Sequence, residues 1–279
     1  MSRASVYAMD TYFYHSQGAY SFESRCEMLR ILGYDSTYLT LWSEAAWKDV
    51  DKLSTVRDRY DLGVEAVYVS MDITKAANDK NNARVLDLIR GLKDCGRVEL
   101  NLSAGGGNIP RSDPSMDSLA IEWLQRLLDA AEPNGTPLSL YPHISCWLER
   151  TSDAVRLCRQ LPSRLLGITF PSYHWYAIEG DRLKDTITEA APYLHSVNLC
   201  GSRKVNGYST IEPIYEGELD LFYMLHCLKT AGFQGSVGLQ GYSVGGDVYD
   251  KLERSLATFR MLEHRLERYP HWGELRAPL

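Results

Sequence analysis

A single-domain α/β protein built as a (β/α)8 TIM barrel is the fold class this chain predicts, and three observations predict it. Strand-like and helix-like segments alternate from one end of the sequence to the other. Eight such pairs follow one another with no linker that would divide them into halves. No glycine-rich phosphate loop follows the first strand, as the rival doubly wound open sheet usually requires.

Each element has its own local reason. SVYAMD (5–10) is a short strand, and FESRCEMLRILG (22–33) has helical apolar spacing at Phe22, Cys26, Leu29 and Leu32 with Gly33 as its C-cap. STYLTLW (36–42) is β-rich. The stretch 43–63 reads as one helix opened by Ser43. VEAVYVSMD (64–72) is a strand, 81–96 an amphipathic helix ending on Gly96, and RVELNLS (97–103) a strand before the flexible AGGGNIP. The second half repeats the pattern: helix 116–135, strand 137–143, helix 149–162 stopped by Pro162, and strand 165–170. A helix within 182–194, strand 195–202, helix 219–233, strand 236–240 and a long helix 246–269 complete it. The whole of 1–279 is expected to be one domain, its last ~10 residues a loose tail.

The chain has 279 residues, 44% hydrophobic and 24% charged, an ordinary globular balance with ample material for a core. Its net charge of −6, without a basic run, argues against nucleic acid as a partner, because phosphate binding needs a positive patch. No apolar stretch approaches a membrane span, and the first residues lack the apolar core of a secretion signal. The six cysteines form no CxxC pair and read as reduced thiols, so a cytoplasmic location is expected. With 18 tyrosines and 6 tryptophans the chain is rich in amphipathic rings, which pack cores and also stack on sugars.

In such a barrel the site lies at the C-terminal ends of the strands. Those ends offer Asp10, Trp42, Ser70 with Asp72, Asn101 with Ser103, Tyr141 with His143, His174, Asn198 with Cys200, and Gln240 with Tyr242. The set is polar and aromatic with few carboxylates, which suits a neutral, hydroxyl-rich ligand. After the eighth strand, GYSVGGD places Asp247 where it caps the last helix and repels phosphate.

Several segments resemble the sugar phosphate isomerase/epimerase superfamily, the xylose isomerase-like barrels. GYDSTYLTLW is similar to that superfamily's second-strand G-Y-D/E-G start. LYPH stands where its fifth strand has E-N-H, FPSYH where its sixth has D-x-x-H, and SVNLCGS where its seventh has V-H-L-K-D. The ending PIYEGELDLFYMLHCLKTAGFQGSVGLQ is similar to its G-x-G-x-x-D…GF-x-G…E pattern. The resemblance implies one divalent cation held by Glu, Asp, His and Glu, two of which also move the substrate's proton. Here those positions are Tyr141, Pro171, Asn198 and Gln240. Three anionic ligands and an imidazole are missing, so no metal ligands are expected, and Gln240 keeps the shape of a glutamate without its charge.

His174 keeps the D-x-x-H histidine, and His143 that of E-N-H. His174, His143, Asp10 and Asp72 are the candidate acids and bases. The two aspartates can equally cap the turns that follow them. Tyr141, Asn198, Gln240, Trp42, Trp175, Tyr242 and Arg203 are the candidate substrate contacts, Arg203 lying in the loop after the seventh strand. The expected function is isomerisation, epimerisation or elimination on a small sugar, keto-sugar or polyol next to a carbonyl, without a cofactor. Two alternatives stand beside it. One is a degenerate barrel that binds a sugar or a partner without turnover. The other is a metal-dependent isomerase whose Mn, Mg, Zn or Co is held by relocated ligands drawn from His143, His174, Asp72 and Asp10. Members of the superfamily often form dimers or tetramers, which extends the option of a homo-oligomer to this chain.

Overall fold

The structure is a computed structural model that describes residues 3–105 and 109–274. Eight parallel strands close into a barrel: β1 (Val6–Ala8), β2 (Ser36–Thr40), β3 (Gly63–Asp72), β4 (Val98–Ser103), β5 (Leu138–Leu140), β6 (Leu166–Pro171), β7 (Leu194–Leu199) and β10 (Ser236–Leu239). Their order around the barrel is β1-β10-β7-β6-β5-β4-β3-β2. Two further strands, β8 (Gly201–Val205) and β9 (Tyr208–Glu212), form a separate antiparallel hairpin after β7.

The helices coat the outside. α1 (Phe22–Leu32) opens on Ser21, whose hydroxyl accepts from Ser24 N–H at 3.2 Å, and stops where Gly33 turns left-handed. α10 (Val248–Arg268) opens on the carboxylate of Asp247, as its sequence predicts. Ser43 also caps as expected, but the predicted helix 43–63 is broken into α2 (Glu44–Asp49), a 3-10 stretch (Val50–Thr55) and α3 (Val56–Tyr60). Thr55 donates its hydroxyl back to the Lys52 carbonyl at 2.8 Å, a local bond that competes with the α-helical ladder. α4 (Lys80–Gly91) ends earlier than Gly96. Gly96 serves another need: a Cβ there would stand 2.6 Å from the Glu65 carbonyl oxygen. α5 (Asp117–Ala131), α6 (Thr151–Gln160), α8 (Leu183–Ala190) and α9 (Leu221–Thr230) fall inside their predicted windows. The short α7 (Ser172–Ile178) is an addition.

Part of the expected loose tail lies within the described residues. Pro270–Glu274 forms a 3-10 turn in which Trp272 stacks on Tyr269 at 4.2 Å and Gly273 is buried against His226. The rest of the tail, and Gly106, Gly107 and Asn108 of the loop expected to be flexible, lie outside the described residues. Among the described residues no helix is long and apolar enough to cross a membrane. All six cysteines are free thiols, four of them buried.

Strand periodicity divides the barrel into an outer apolar layer and a polar bore. Val6, Leu39, Leu100, Leu138, Phe170, Val197 and Leu239 belong to the large core against the helices. The alternate positions hold Tyr7, Tyr38, Glu99, Ser139, Thr169, Ser196 and Asn198, all buried. At the centre, Arg97 donates to Glu99 Oε1 at 3.0 Å, to Glu65 Oε1 at 2.6 Å and to Tyr7 Oη at 2.9 Å. Tyr38 donates to Glu99 Oε2 at 2.5 Å and Thr169 to Glu99 Oε1 at 2.9 Å. Tyr7 passes its own proton to Asn198 Oδ1 at 2.5 Å. Gly238, paired with Tyr7 across one ladder and with Asn198 across the other, makes room for them. A Cβ on Gly238 would overlap Asn198 Oδ1 and lie 2.5 and 2.6 Å from two Tyr7 ring atoms.

Candidate active site

Above this packed bore, at the C-terminal ends of the strands, a cavity of about 300 Å³ opens. The segments after β1 and β2 give it Met9, Thr11 and Trp42, with Thr40 from the end of β2. Tyr68 comes from β3, and Tyr141, His143 and Ile144 from the chain leaving β5. Tyr173 and His174 come from the first turn of α7, Ile211 from the β8–β9 hairpin, and Gln240 and Tyr242 from the segment after β10. None of these side chains is charged. A cavity of about 340 Å³ on the opposite face, between α9 and α10, is lined by Leu225, Leu228 and Phe259 with Lys229, Glu263 and Glu267, and lies away from the C-terminal ends of the strands.

The two histidines meet. Their ring centroids are 4.0 Å apart with a 39° tilt. His143 Nδ1 lies 2.6 Å from the Ile144 carbonyl, so this nitrogen carries the proton and Nε2 is left with a lone pair. The amide N–H of the same Ile144 points at His174 Nδ1 from 3.4 Å, a long contact that assigns the lone pair to Nδ1 and the proton to Nε2. One residue thus sets opposite tautomers in the two rings. Burial lowers the pKa of His143, and burial followed by the neighbouring His143 lowers that of His174 well below the ordinary imidazole value. Both rings are therefore neutral at neutral pH. Burial pushes the Tyr141 phenol far up, so it stays a proton donor.

Two oxygens in the cavity wall are buried without a hydrogen-bond partner: Gln240 Oε1 and Thr11 Oγ1. Unpaired buried acceptors are costly and mark where a ligand's hydroxyls would be bound. Below them Asn198 Nδ2 is also unpartnered, while its oxygen is taken by Tyr7.

The aspartates are not brought to the cavity. Asp10 is buried and accepts from Thr40 N–H at 3.0 Å and Thr40 Oγ1–H at 2.6 Å, with Arg25 3.8 Å away. Burial raises its pKa, and its role is to tie the turn after β1 to β2. Asp72 Oδ1 accepts from the amide and hydroxyl of Thr74 and the amide of Gly105. Burial pushes its pKa up, but these bonds outweigh it and hold the carboxyl low. Trp175 points into the core beside Phe170, on a different side of α7 from His174. Arg203 pairs with Glu212 at 3.3 Å on one face of the hairpin, whereas the cavity residue Ile211 lies on the other. Trp42 and Tyr242 are at the mouth, Tyr141 and Gln240 inside, and Asn198 beneath.

Sequence reasoning passes over Thr11, Thr40, Tyr68, Tyr173 and Ile211. A usable signal existed for the last: Asn206-Gly207 is a hairpin turn dipeptide, and both residues have positive φ, 52° and 83°.

The profile of the xylose isomerase-like TIM barrel family matches residues 28–262. The chain belongs to this family. Among solved structures, it is similar to the apo form of 3-keto-D-glucoside 4-epimerase YcjR from E. coli, at 16% identity over 93% of this chain and 100% of that one, TM-score 0.71. It is also similar to an L-ribulose 3-epimerase (15% identity, 99% and 100% covered, TM-score 0.76). The IOLI protein with a bound zinc atom is a third such structure (14%, 92% and 97%, 0.77). No curated protein matches the chain by sequence.

The cation that xylose isomerase-like barrels can hold does not fit the residues here. Tyr141 is a protonated phenol, Pro171 has no donor, and the Asn198 oxygen is committed to Tyr7. Gln240 Oε1 is left as one neutral donor where a hard cation needs several charged ones. Asp10 and Asp72 are spent on backbone, and among the described residues no three His, Cys, Asp or Glu gather in a group that could hold a metal ion.

Proposed function

We propose that the protein moves a proton next to the carbonyl of a small, uncharged sugar, keto-sugar or polyol-derived ketone, in an isomerisation, epimerisation or elimination. The observation that carries this reading is the imidazole pair with opposite tautomers. His143 Nε2 takes the proton from the carbon beside the carbonyl. His174 Nε2–H and the Tyr141 phenol donate hydrogen bonds to the carbonyl oxygen and hold its negative charge as the enolate forms. Return of the His143 proton to the same carbon from the opposite face epimerises that centre. Its delivery to the former carbonyl carbon, as the neighbouring hydroxyl passes its own proton to the first oxygen, isomerises the sugar. Its transfer to a departing β-hydroxyl, which leaves as water, completes an elimination. Low imidazole pKa values keep both partners neutral, so base and acid coexist at neutral pH. Gln240 and Thr11 orient hydroxyls through their unpartnered oxygens. The sugar epimerases among the similar structures support the substrate class.

The test is deuterium uptake from heavy water next to the carbonyl in a panel of ketoses and keto-sugars, followed by NMR. Wild type is expected to catalyse exchange, with His174→Ala and His143→Ala each slowing it about 10²–10⁴-fold. Near-wild-type exchange in His174→Ala overturns the assignment. A binding-only barrel is the second reading, favoured by a cavity wall without a carboxylate. It predicts saturable sugar binding with no exchange in wild type.

A further inference from the structure

The mouth of the cavity is built differently from its floor. Trp42 stacks on Tyr14 at 5.8 Å and meets Tyr68 and Tyr242 edge-on at 6.0 and 5.9 Å. The indole is held from three directions, yet it remains 51% exposed, and Tyr242 is 39% exposed. An aromatic ring fixed in place but left half open at a cavity mouth is a contact surface waiting for a flat partner. The floor instead offers the imidazole pair and, across the barrel, the unpartnered oxygens of Gln240 and Thr11. Among the described residues no charged side chain lines either part, so an anionic ligand would lose its hydration with nothing there to replace it.

Resting on the sugar reading above, we infer that the substrate is an uncharged glycoside, its sugar ring on the floor and its flat, apolar aglycone against Trp42 and Tyr242. Glycosidic linkage locks the anomeric carbon. The carbonyl that the imidazoles act on is therefore on another carbon of the ring. A free sugar would leave the aromatic mouth empty, and a sugar phosphate would find no cation among the described residues lining the cavity, since Arg203 is turned away and paired.

Binding is measured by calorimetry with glucose, galactose and mannose, their methyl and 4-nitrophenyl glycosides, and their 6-phosphates. These lack the ring ketone and report affinity alone. In wild type the nitrophenyl glycoside of at least one sugar is expected to bind about tenfold more tightly than its methyl counterpart, and the 6-phosphates more weakly than the parent sugars. Trp42→Ala is expected to bring the nitrophenyl-to-methyl ratio close to one, and Trp42→Phe to keep part of it. The wild-type ratio needs no variant to fold. Equal affinity for nitrophenyl and methyl glycosides, or preference for 6-phosphates, overturns the inference and leaves the sugar reading standing. No binding by any sugar or glycoside overturns both.

Discussion

Lowering the pH should destabilise this protein well before its carboxylates titrate, and His195 supplies a measurable part of the effect. The ring sits at the start of β7, with Nδ1 2.8 Å from the Ser139 hydroxyl, and Gly167 packs against its face. Burial, helped by the positive charge of Arg97, lowers its pKa from the ordinary 6.5 to about 4. Between those values the unfolded chain binds a proton that the folded chain refuses. Stability therefore rises with pH across this window and is lost as pH falls through 6.5 toward 4. Integrating the two titrations from pH 7.5 to 5.5 gives a loss of about 1 kcal/mol for this one ring. His143 and His174 act in the same direction. Urea unfolding of wild type and His195→Gln at the two pH values checks the figure. The variant should lose about 1 kcal/mol less than wild type over the same interval. Equal losses, or an NMR titration that puts the His195 pKa near 6.5, would refute the reasoning.

Three further outcomes are expected. Gly238→Ala should cost about 1–3 kcal/mol of stability in denaturant unfolding, because its methyl collides with Tyr7 and Asn198 and neither can move freely. Arg97→Leu should cost more, about 3–5 kcal/mol, since it strands Glu99 and Glu65 in the bore; the Arg97→Leu/Glu99→Gln double variant should recover part of that loss. Metal analysis by plasma mass spectrometry, after expression with Mn, Mg, Zn and Co supplied, should find far less than one ion per chain, and a chelator should leave the melting temperature unchanged.

Much of this molecule is legible in its sequence because the deciding signals are local. Ser43, Gly33 and Asp247 do what their chemistry prescribes at helix ends, and alternating apolar residues locate all eight strands. The imidazole pair is foreshadowed by LYPH and FPSYH, each at the end of a strand. What is not legible depends on partners distant in the chain. Asp10 looks like a free base until Thr40, thirty residues away, is seen to bind it. Trp175 and His174 are adjacent in sequence, but the unforeseen α7 turns one into the core and the other into the cavity. Arg97 and Glu99 stand in the strand RVELNLS with no local signal that pairs them inward, and only closure of the barrel makes them a buried pair.

The crowded bore turns the amide at position 240 into one tooth of an evolutionary ratchet. Gln240→Glu alone would add a buried charge with no cation to meet it. Asn198→His would release Tyr7, and with Tyr7 the contact it makes to Arg97. Enlarging Gly238 would press on both at once. Each single substitution toward a metal-binding set at these positions is thus expected to weaken the fold before it provides a ligand. Variation in this chain is accordingly expected to reach new ligands at the aromatic mouth more readily than a metal site in the floor.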